Sequence, residues 1–290
     1  MRILVSLLCG LAVGSAAYYQ SDSASPLKKT ILTSAHRGEH LRHPENSLPA
    51  IQAAIDAGID YVELDIQTTS DGHLVLMHDR TVNRMTNGKG PVDSMTLAEI
   101  EKLDLGVKFP GQFPGLRVPT FDEALELAKG HIGIYVDTKN ATPKGLVDAI
   151  ERHDMGKHVM FWSEHPDFLK QTSDLQPDWV LMPEAFNAQN VRTLAALLHP
   201  KFLGFDERDF NPPTIAAAKA ANAGIFVDRH FDAAADDKTE DPAAREQQVG
   251  HREQLVRELR PRHRYAENPQ TPYQRYRNRR RPCCPQNCLP

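Results

Sequence analysis

The chain has 290 residues, 40% of them hydrophobic, and a formal net charge of −4. That composition can fill one large core, of the size an α/β barrel of roughly 250 residues needs, and its slightly acidic balance speaks against nucleic acid as a partner. Of four cysteines, Cys9 lies near the start and Cys283, Cys284 and Cys288 lie in the last eight residues, so no disulfide framework is indicated for the body.

Met1-Arg2, the apolar run Ile3 to Val13 and then Ser15-Ala16-Ala17 have the charged, apolar and small-residue parts of a secretory signal peptide. The run is short for a bilayer span. Cleavage after Ala17 is expected, giving a secreted or periplasmic protein with no stable membrane span; an N-terminal anchor is the competing reading. From residue 30 onward, short apolar runs alternate with amphipathic windows, which is the pattern of βα units around a parallel sheet. Strands are predicted near 30–36, 61–67, 73–78, 132–138, 158–163, 178–183, 202–206 and 224–228. Leu48, Ile51 and Ile55 fall on one helical face with Gly58 at a capping position. Thr120 and Glu123 have capping-box spacing ahead of Ala124, Leu125, Leu127 and Ala128, and Gly130 closes that helix.

Residues 80–119, rich in Gly and Pro, interrupt this rhythm with a short helix at Thr96 to Leu103, and read as an insertion that shapes the substrate pocket. The end differs in kind. Residues 245–290 carry 11 arginines and 4 glutamates, a net +7, which leaves −11 on the preceding residues. A basic, Pro-rich segment with few aliphatics is expected to be disordered. The organisation predicted is a signal peptide over 1–17, a barrel over 30–240 with the insertion at 80–119, and an Arg/Pro-rich tail over 241–290.

Ionisable residues stand where strands should be apolar. In Tyr61-Val62-Glu63-Leu64-Asp65-Ile66, alternation puts Tyr61, Glu63 and Asp65 on one face. Two carboxylates on one wall of a buried strand call for a cation or another partner. Leu74-Val75-Leu76-Met77 runs into His78-Asp79, and Ile132 to Lys139 places Gly133, Tyr135, Asp137 and Lys139 opposite Ile132, Ile134 and Val136. All gather toward strand C-termini, the end of a parallel βα sheet where loops converge on one cavity.

In order, the pieces are His36-Arg37-Gly38, Pro44-Glu45-Asn46-Ser47, Glu63-Leu64-Asp65, His78-Asp79 and Asp137-Thr138-Lys139, with Arg84-Met85-Thr86 and Pro119 to Leu125 besides. From about Ile31 to Asp237 this closely resembles the glycerophosphodiester phosphodiesterase family, within the phospholipase-C-like superfamily. The resemblance implies a (βα)₈ TIM-type barrel with a small insertion after the third strand. It implies metal-dependent hydrolysis of a glycerophosphodiester to an alcohol and glycerol 3-phosphate. The metal ligands would be Glu63, Asp65 and Asp137, the acid–base pair His36 and His78, and the phosphate holders Arg37 and Lys139, with Glu45 touching substrate or orienting neighbours. Three carboxylates favour a hard divalent cation, Ca²⁺ or Mg²⁺. Asp137 departs from the pattern, which usually has Glu there; its carboxylate is one methylene shorter, so the metal shifts or a water bridges.

The pattern stops after Asp228 and Asp236-Asp237, where the family continues with a further βα unit of the type Gly-Ile-x-Thr-Asp. That last unit is expected to be missing or scrambled, as from a shifted reading frame or misassembled terminus beginning between Asp237 and Arg245, leaving unpaired edges beside the first strand. Competing functions are a phospholipase D-like lyase of the same superfamily, a non-catalytic ligand-binding barrel, and, with little weight, nucleic-acid binding by the arginine tail.

Overall fold

The computed structural model describes residues 32–206 and 208–228. The expected signal peptide and arginine-rich tail lie outside the described residues. The strands are β1 (Ser34–Ala35), β2 (Tyr61–Thr68), β3 (Leu74–Leu76), β4 (Gly133–Thr138), β5 (Val159–Ser163), β6 (Val180–Pro183), β7 (Phe202–Asp206) and β8 (Gly224–Asp228). Between them come helices α1 (Leu48–Asp56), α2 (Leu97–Ile100), α3 (Phe121–Ala128), α4 (Pro143–Arg152), α5 (Pro166–Leu175), α6 (Ala188–Leu198) and α7 (Pro212–Ala220).

The architecture is an α/β barrel of the TIM type. β2 pairs in parallel with β1 and with β4, followed by β5 and β6; a parallel bridge from Glu184 to Gly204 leads on to β7, which pairs with β8. Strand alternation splits the apolar residues into two layers. Val62, Leu64, Ile66, Ile134, Val136 and Phe161 face outward into the main core beneath the helices, with Ile51, Leu125 and Leu146 among their partners. Each of these apolar side chains, buried fully, contributes about 1.5–3 kcal/mol. Tyr135, Met160 and Met182 face inward, with Tyr61, Trp162, Val180, Phe202 and Phe226 packed against them.

One sequence expectation is corrected. The run at 73–78 was expected among the parallel strands of the barrel, but β3 lies antiparallel on the end of β2, pairing Ile66 with Leu76, Gln67 with Val75 and Thr68 with Leu74. The reason is local. Only a tight turn separates the two strands: Gly72 has φ +84°, its N–H donates to the Thr69 carbonyl at 3.0 Å, and the Thr69 N–H donates to the His73 carbonyl at 2.8 Å. A connection that short permits only antiparallel neighbours, and Asp71-Gly72 is its sequence signature. β4 therefore takes the place beside β2, from Tyr61↔Gly133 to Ile66↔Thr138. Among the described residues seven strands run parallel, and no ladder joins β8 to β1.

Two helix starts follow their local chemistry. Ser47 caps α1 by accepting from the Ala50 N–H at 3.2 Å, and Thr120 with Glu123 forms the capping box of α3. Residues between β3 and α3 build a small core of their own from Val82, Met85, Val92, Ile100, Leu105 and Val118, which packs with Val75 and Met77. Phe113 of this segment rests on the His43 ring, centroids 5.5 Å apart, and so reaches the loop between β1 and α1.

Candidate active site

β2 sends Glu63, Asp65 and Gln67 into the lumen, and the register sets Asp137 of β4 directly beside Asp65. Glu63 is 5% exposed and Asp65 1%. One ligand oxygen from each of Glu63, Asp65 and Asp137 lies within 4.8 Å of the others. Like charges this close, withdrawn from water, resist ionisation. Burial first, then the charges of Asp65 and Asp137, hold the Glu63 carboxyl well above its ordinary range. Asp137 is raised too, by burial and by Asp65, with Lys139 opposing. Asp65 goes the other way: burial would raise it, but Lys139, His78, Arg37 and the Asn46 amide together lower it.

Two cations brace the acids. Lys139 Nζ lies 2.8 Å from Asp137 Oδ2 and 2.9 Å from Asp65 Oδ1. Burial alone would lower this ammonium's pKa, yet the two carboxylates outweigh it and raise it. Arg37 donates its backbone N–H to Glu63 Oε2 at 2.6 Å, sets Nε 3.5 Å from Asp65 Oδ2 and points Nη1 at both Glu45 oxygens, 3.4 Å away.

The loop after β1 takes an unusual path to do this. Arg37 (φ +53°) and Asn46 (φ +52°) both adopt left-handed backbone, each costing about 1–3 kcal/mol outside glycine. Asn46 recovers part of it by clamping Asp65: its Nδ2 donates to Oδ2 at 2.6 Å, and its Oδ1 accepts the Asp65 N–H at 3.1 Å. Between them Gly38 (φ +82°) lies so close to α1 that a Cβ would meet Ala50 Cβ at 2.7 Å and its carbonyl carbon at 2.8 Å. Only glycine fits there.

His78 enters from the β2–β3 ribbon. Its Nδ1 is 2.8 Å from Asp79 Oδ1. Arg84 grips Asp79 with Nε and Nη2, both at 2.8 Å, and Glu45 with Nη2 at 2.7 Å and Nη1 at 3.0 Å. Hydrogen bonds from His78 and Arg84 hold the Asp79 carboxyl far below its usual range. An ionised Asp79 assigns the proton to His78 Nδ1 and leaves Nε2 as the ring's other functional nitrogen. Gln67 fixes the ribbon from the lumen side, donating to the Met77 carbonyl at 2.9 Å and to that of Asp79. His36 follows β1 directly and is half-buried; its ring meets that of His40 edge-on, centroids 5.6 Å apart.

Arg37, Glu45, Glu63, Asp65, Asp137 and Lys139 thus make one contact network, which His78 joins through Asp79 and Arg84. His36 is tied to it by the backbone of Arg37. Sequence reading assigned no roles to Asn46, Gln67, Asp79 or Arg84. Gln67 had a signal, since it shares the strand face of Glu63 and Asp65; Asn46, Asp79 and Arg84 stood inside the motifs without a visible task.

The donor set suits a hard divalent cation. Three convergent carboxylates, one of them reluctant to ionise alone, supply the oxygen ligands and negative charge such an ion takes. Fold and site together define an α/β barrel with an acidic centre flanked by anion-holding cations.

Comparison with known proteins gives the family. The model of the glycerophosphoryl diester phosphodiesterase family matches residues 36–228. A glycerophosphodiester phosphodiesterase of Caldanaerobacter subterraneus subsp. tengcongensis is 52% identical over 96 residues, 33% of this chain and 40% of that one. One from Bacillus subtilis is 36% identical over 167 residues, 51% of this chain and 57% of the relative. The matches thus span about half the length of these curated relatives. The crystal structure of glycerophosphodiester phosphodiesterase from Agrobacterium tumefaciens superposes with a TM-score of 0.62 at 30% identity, covering 68% of this chain and 86% of that one. The chain belongs to the glycerophosphoryl diester phosphodiesterase family.

Proposed function

We propose that the protein hydrolyses glycerophosphodiesters, releasing the alcohol and glycerol 3-phosphate. The observation that carries this reading is the convergence of Glu63, Asp65 and Asp137 within 4.8 Å beside Lys139 and Arg37. Family membership and the similarity to named phosphodiesterases support it.

A diester phosphate carries one negative charge, which becomes more concentrated as the fifth oxygen approaches phosphorus. Glu63, Asp65 and Asp137 would hold a divalent cation, Ca²⁺ or Mg²⁺, which when bound offsets that charge. Arg37 and Lys139 attract and orient the phosphate. Lys139 is engaged by Asp65 and Asp137, and a cation held by those acids would compete with its ammonium and turn it toward a phosphate oxygen. His36 and His78 carry protons between the attacking oxygen and the departing alcohol, because an imidazole can both accept and release a proton. Asp79 keeps the His78 proton on Nδ1, so exchange occurs at Nε2. Glu45, held by Arg84 and facing Arg37, sets where the Arg37 guanidinium points.

The test is hydrolysis of glycerophosphocholine and glycerophosphoethanolamine by purified protein, followed by phosphorus NMR, with chelator and with Ca²⁺ or Mg²⁺ restored. Glycerol 3-phosphate should form only when a cation is present. Turnover indifferent to the chelator would remove the cation from the reading, and a cyclic phosphate as the lasting product would turn it toward a lyase.

A further inference from the structure

Two peptide units flank the Cα of Arg37, and both are pinned. The unit joining His36 to Arg37 is held at its two ends: the N–H donates to Glu63 Oε2 at 2.6 Å, and the carbonyl accepts from His40 Nδ1 at 2.7 Å. The unit that follows is held by the Asn46 N–H, which donates to the Arg37 carbonyl at 2.9 Å. With both planes fixed, the Cα between them has little freedom, and Arg37 takes its left-handed turn at φ +53°. These bonds offset the cost of that conformation in a residue with a side chain.

His40 supplies the bond from the loop side. A carbonyl oxygen only accepts, so the proton of this contact sits on His40 Nδ1 whatever the charge of the ring. The same half-buried ring stands edge-on to His36, centroids 5.6 Å apart. A peptide is planar and rigid, so a carbonyl that lost this donor and turned would carry its own N–H off Glu63. The turn would also redirect the Arg37 side chain, whose guanidinium reaches Asp65 Oδ2 at 3.5 Å and both Glu45 oxygens at 3.4 Å.

We propose that His40 is a positioning residue: its Nδ1–H fixes the His36–Arg37 peptide, and through that rigid unit both the N–H offered to Glu63 and the direction in which Arg37 leaves the chain toward the phosphate. The effect on turnover rests on the hydrolytic reading, while the effect on the peptide rests on the loop geometry alone. Variants separate the bond from the ring. His40→Asn keeps a donor, since its amide nitrogen is one bond from Cγ, as Nδ1 is. His40→Phe keeps a ring edge against His36 and has no donor, and His40→Ala has neither; it stands in for His40→Phe if the larger ring disturbs the loop. The first measurement is kcat/KM on glycerophosphocholine, which should fall about tenfold in His40→Phe and His40→Ala and recover in His40→Asn. The second needs no turnover. In protein carrying isotope-labelled arginine, the Arg37 amide is the NMR signal that Arg37→Lys removes. Its proton should exchange with solvent about tenfold faster in His40→Phe and His40→Ala than in wild type, and at the wild-type rate in His40→Asn. An Arg37 amide unmoved in His40→Phe, or kcat/KM unmoved there, would overturn the proposal. Equal losses in His40→Asn and His40→Ala would overturn it too, since the donor would then not be what counts. If wild type leaves the diester intact, the hydrolytic reading fails and the amide exchange alone decides the place of His40.

Discussion

Inward positions toward the barrel mouth on β2 and β4 include Glu63, Asp65, Gln67 and Asp137, whereas on β5, β6 and β8 they include Met160, Trp162, Met182 and Phe226. The same alternation builds both sides, with opposite consequences. The more apolar side is stabilised by what it hides, and there Phe226 meets the Tyr135 ring of β4 edge-on at 5.6 Å. Across the mouth, every acid needs an outside group to tolerate its place: Lys139 for Asp65 and Asp137, the Arg37 N–H for Glu63, Asn46 for Asp65. A polar lumen therefore drags in polar support from neighbouring loops, and so most of the named motifs fall on one side of the barrel.

The contrast can be broken most severely at Asp65. Asp65→Asn removes a charge that Lys139, Arg37 and the two other acids all refer to, and glycerol 3-phosphate release should fall by about three orders of magnitude, equivalent to several kcal/mol of transition-state stabilisation. Near-normal turnover would mean the acids are structural. His78→Ala should lower kcat by roughly 10²–10⁴-fold, the usual worth of a positioned acid or base, with steady-state kinetics as the check.

Proton linkage sharpens the comparison. The Glu63 carboxyl is raised in the folded chain, by burial and by Asp65 and Asp137. Between its ordinary and raised values the folded chain keeps a proton that the unfolded chain has lost, so stability from this group is present at low pH and disappears as pH climbs through that window. A bound cation requires the carboxylate, so Ca²⁺ or Mg²⁺ affinity should rise with pH there, by up to about tenfold per unit for one proton released, then level off. Calorimetry in two buffers of different ionisation enthalpy measures that proton; a flat affinity would show that the acids do not repel one another.

The smallest effect concerns Arg84. Arg84→Met leaves Asp79 and Glu45 without their shared cation and should cost about 1–2 kcal/mol at neutral pH. Asp79 is depressed by His78 and Arg84, so its contribution exists above the ordinary carboxylate range and fades as pH falls toward the depressed value. Thermal melts of variant and wild type should therefore converge on acidification; a constant gap would locate the loss in packing.

Much of the acidic side was legible because its residues contradict their surroundings. Glu63, Asp65 and Asp137 are charges within apolar strands, and alternation alone put Glu63 and Asp65 on one wall. The Thr120–Glu123 capping box and the α1 stripe formed as local chemistry dictates. The direction of β3 was misread because an apolar run of that length suits either sense of pairing, and the turn that decides it, Asp71-Gly72, sits outside the run. Asn46 and Arg84 went unassigned because their work depends on distant partners: Asn46 meets Asp65 19 residues on, and Arg84 meets Glu45 39 residues back.

The antiparallel ribbon has a consequence for how the site could change. His78 is delivered by an arm folded over the end of β2, whereas the carboxylates ride on the staves themselves. Lengthening or shortening that arm by a residue pair would slide the imidazole in or out while the stave ladder stayed in place. The imidazole and the carboxylates are thus separately adjustable, which is a natural seam along which relatives of this barrel could diverge in substrate reach.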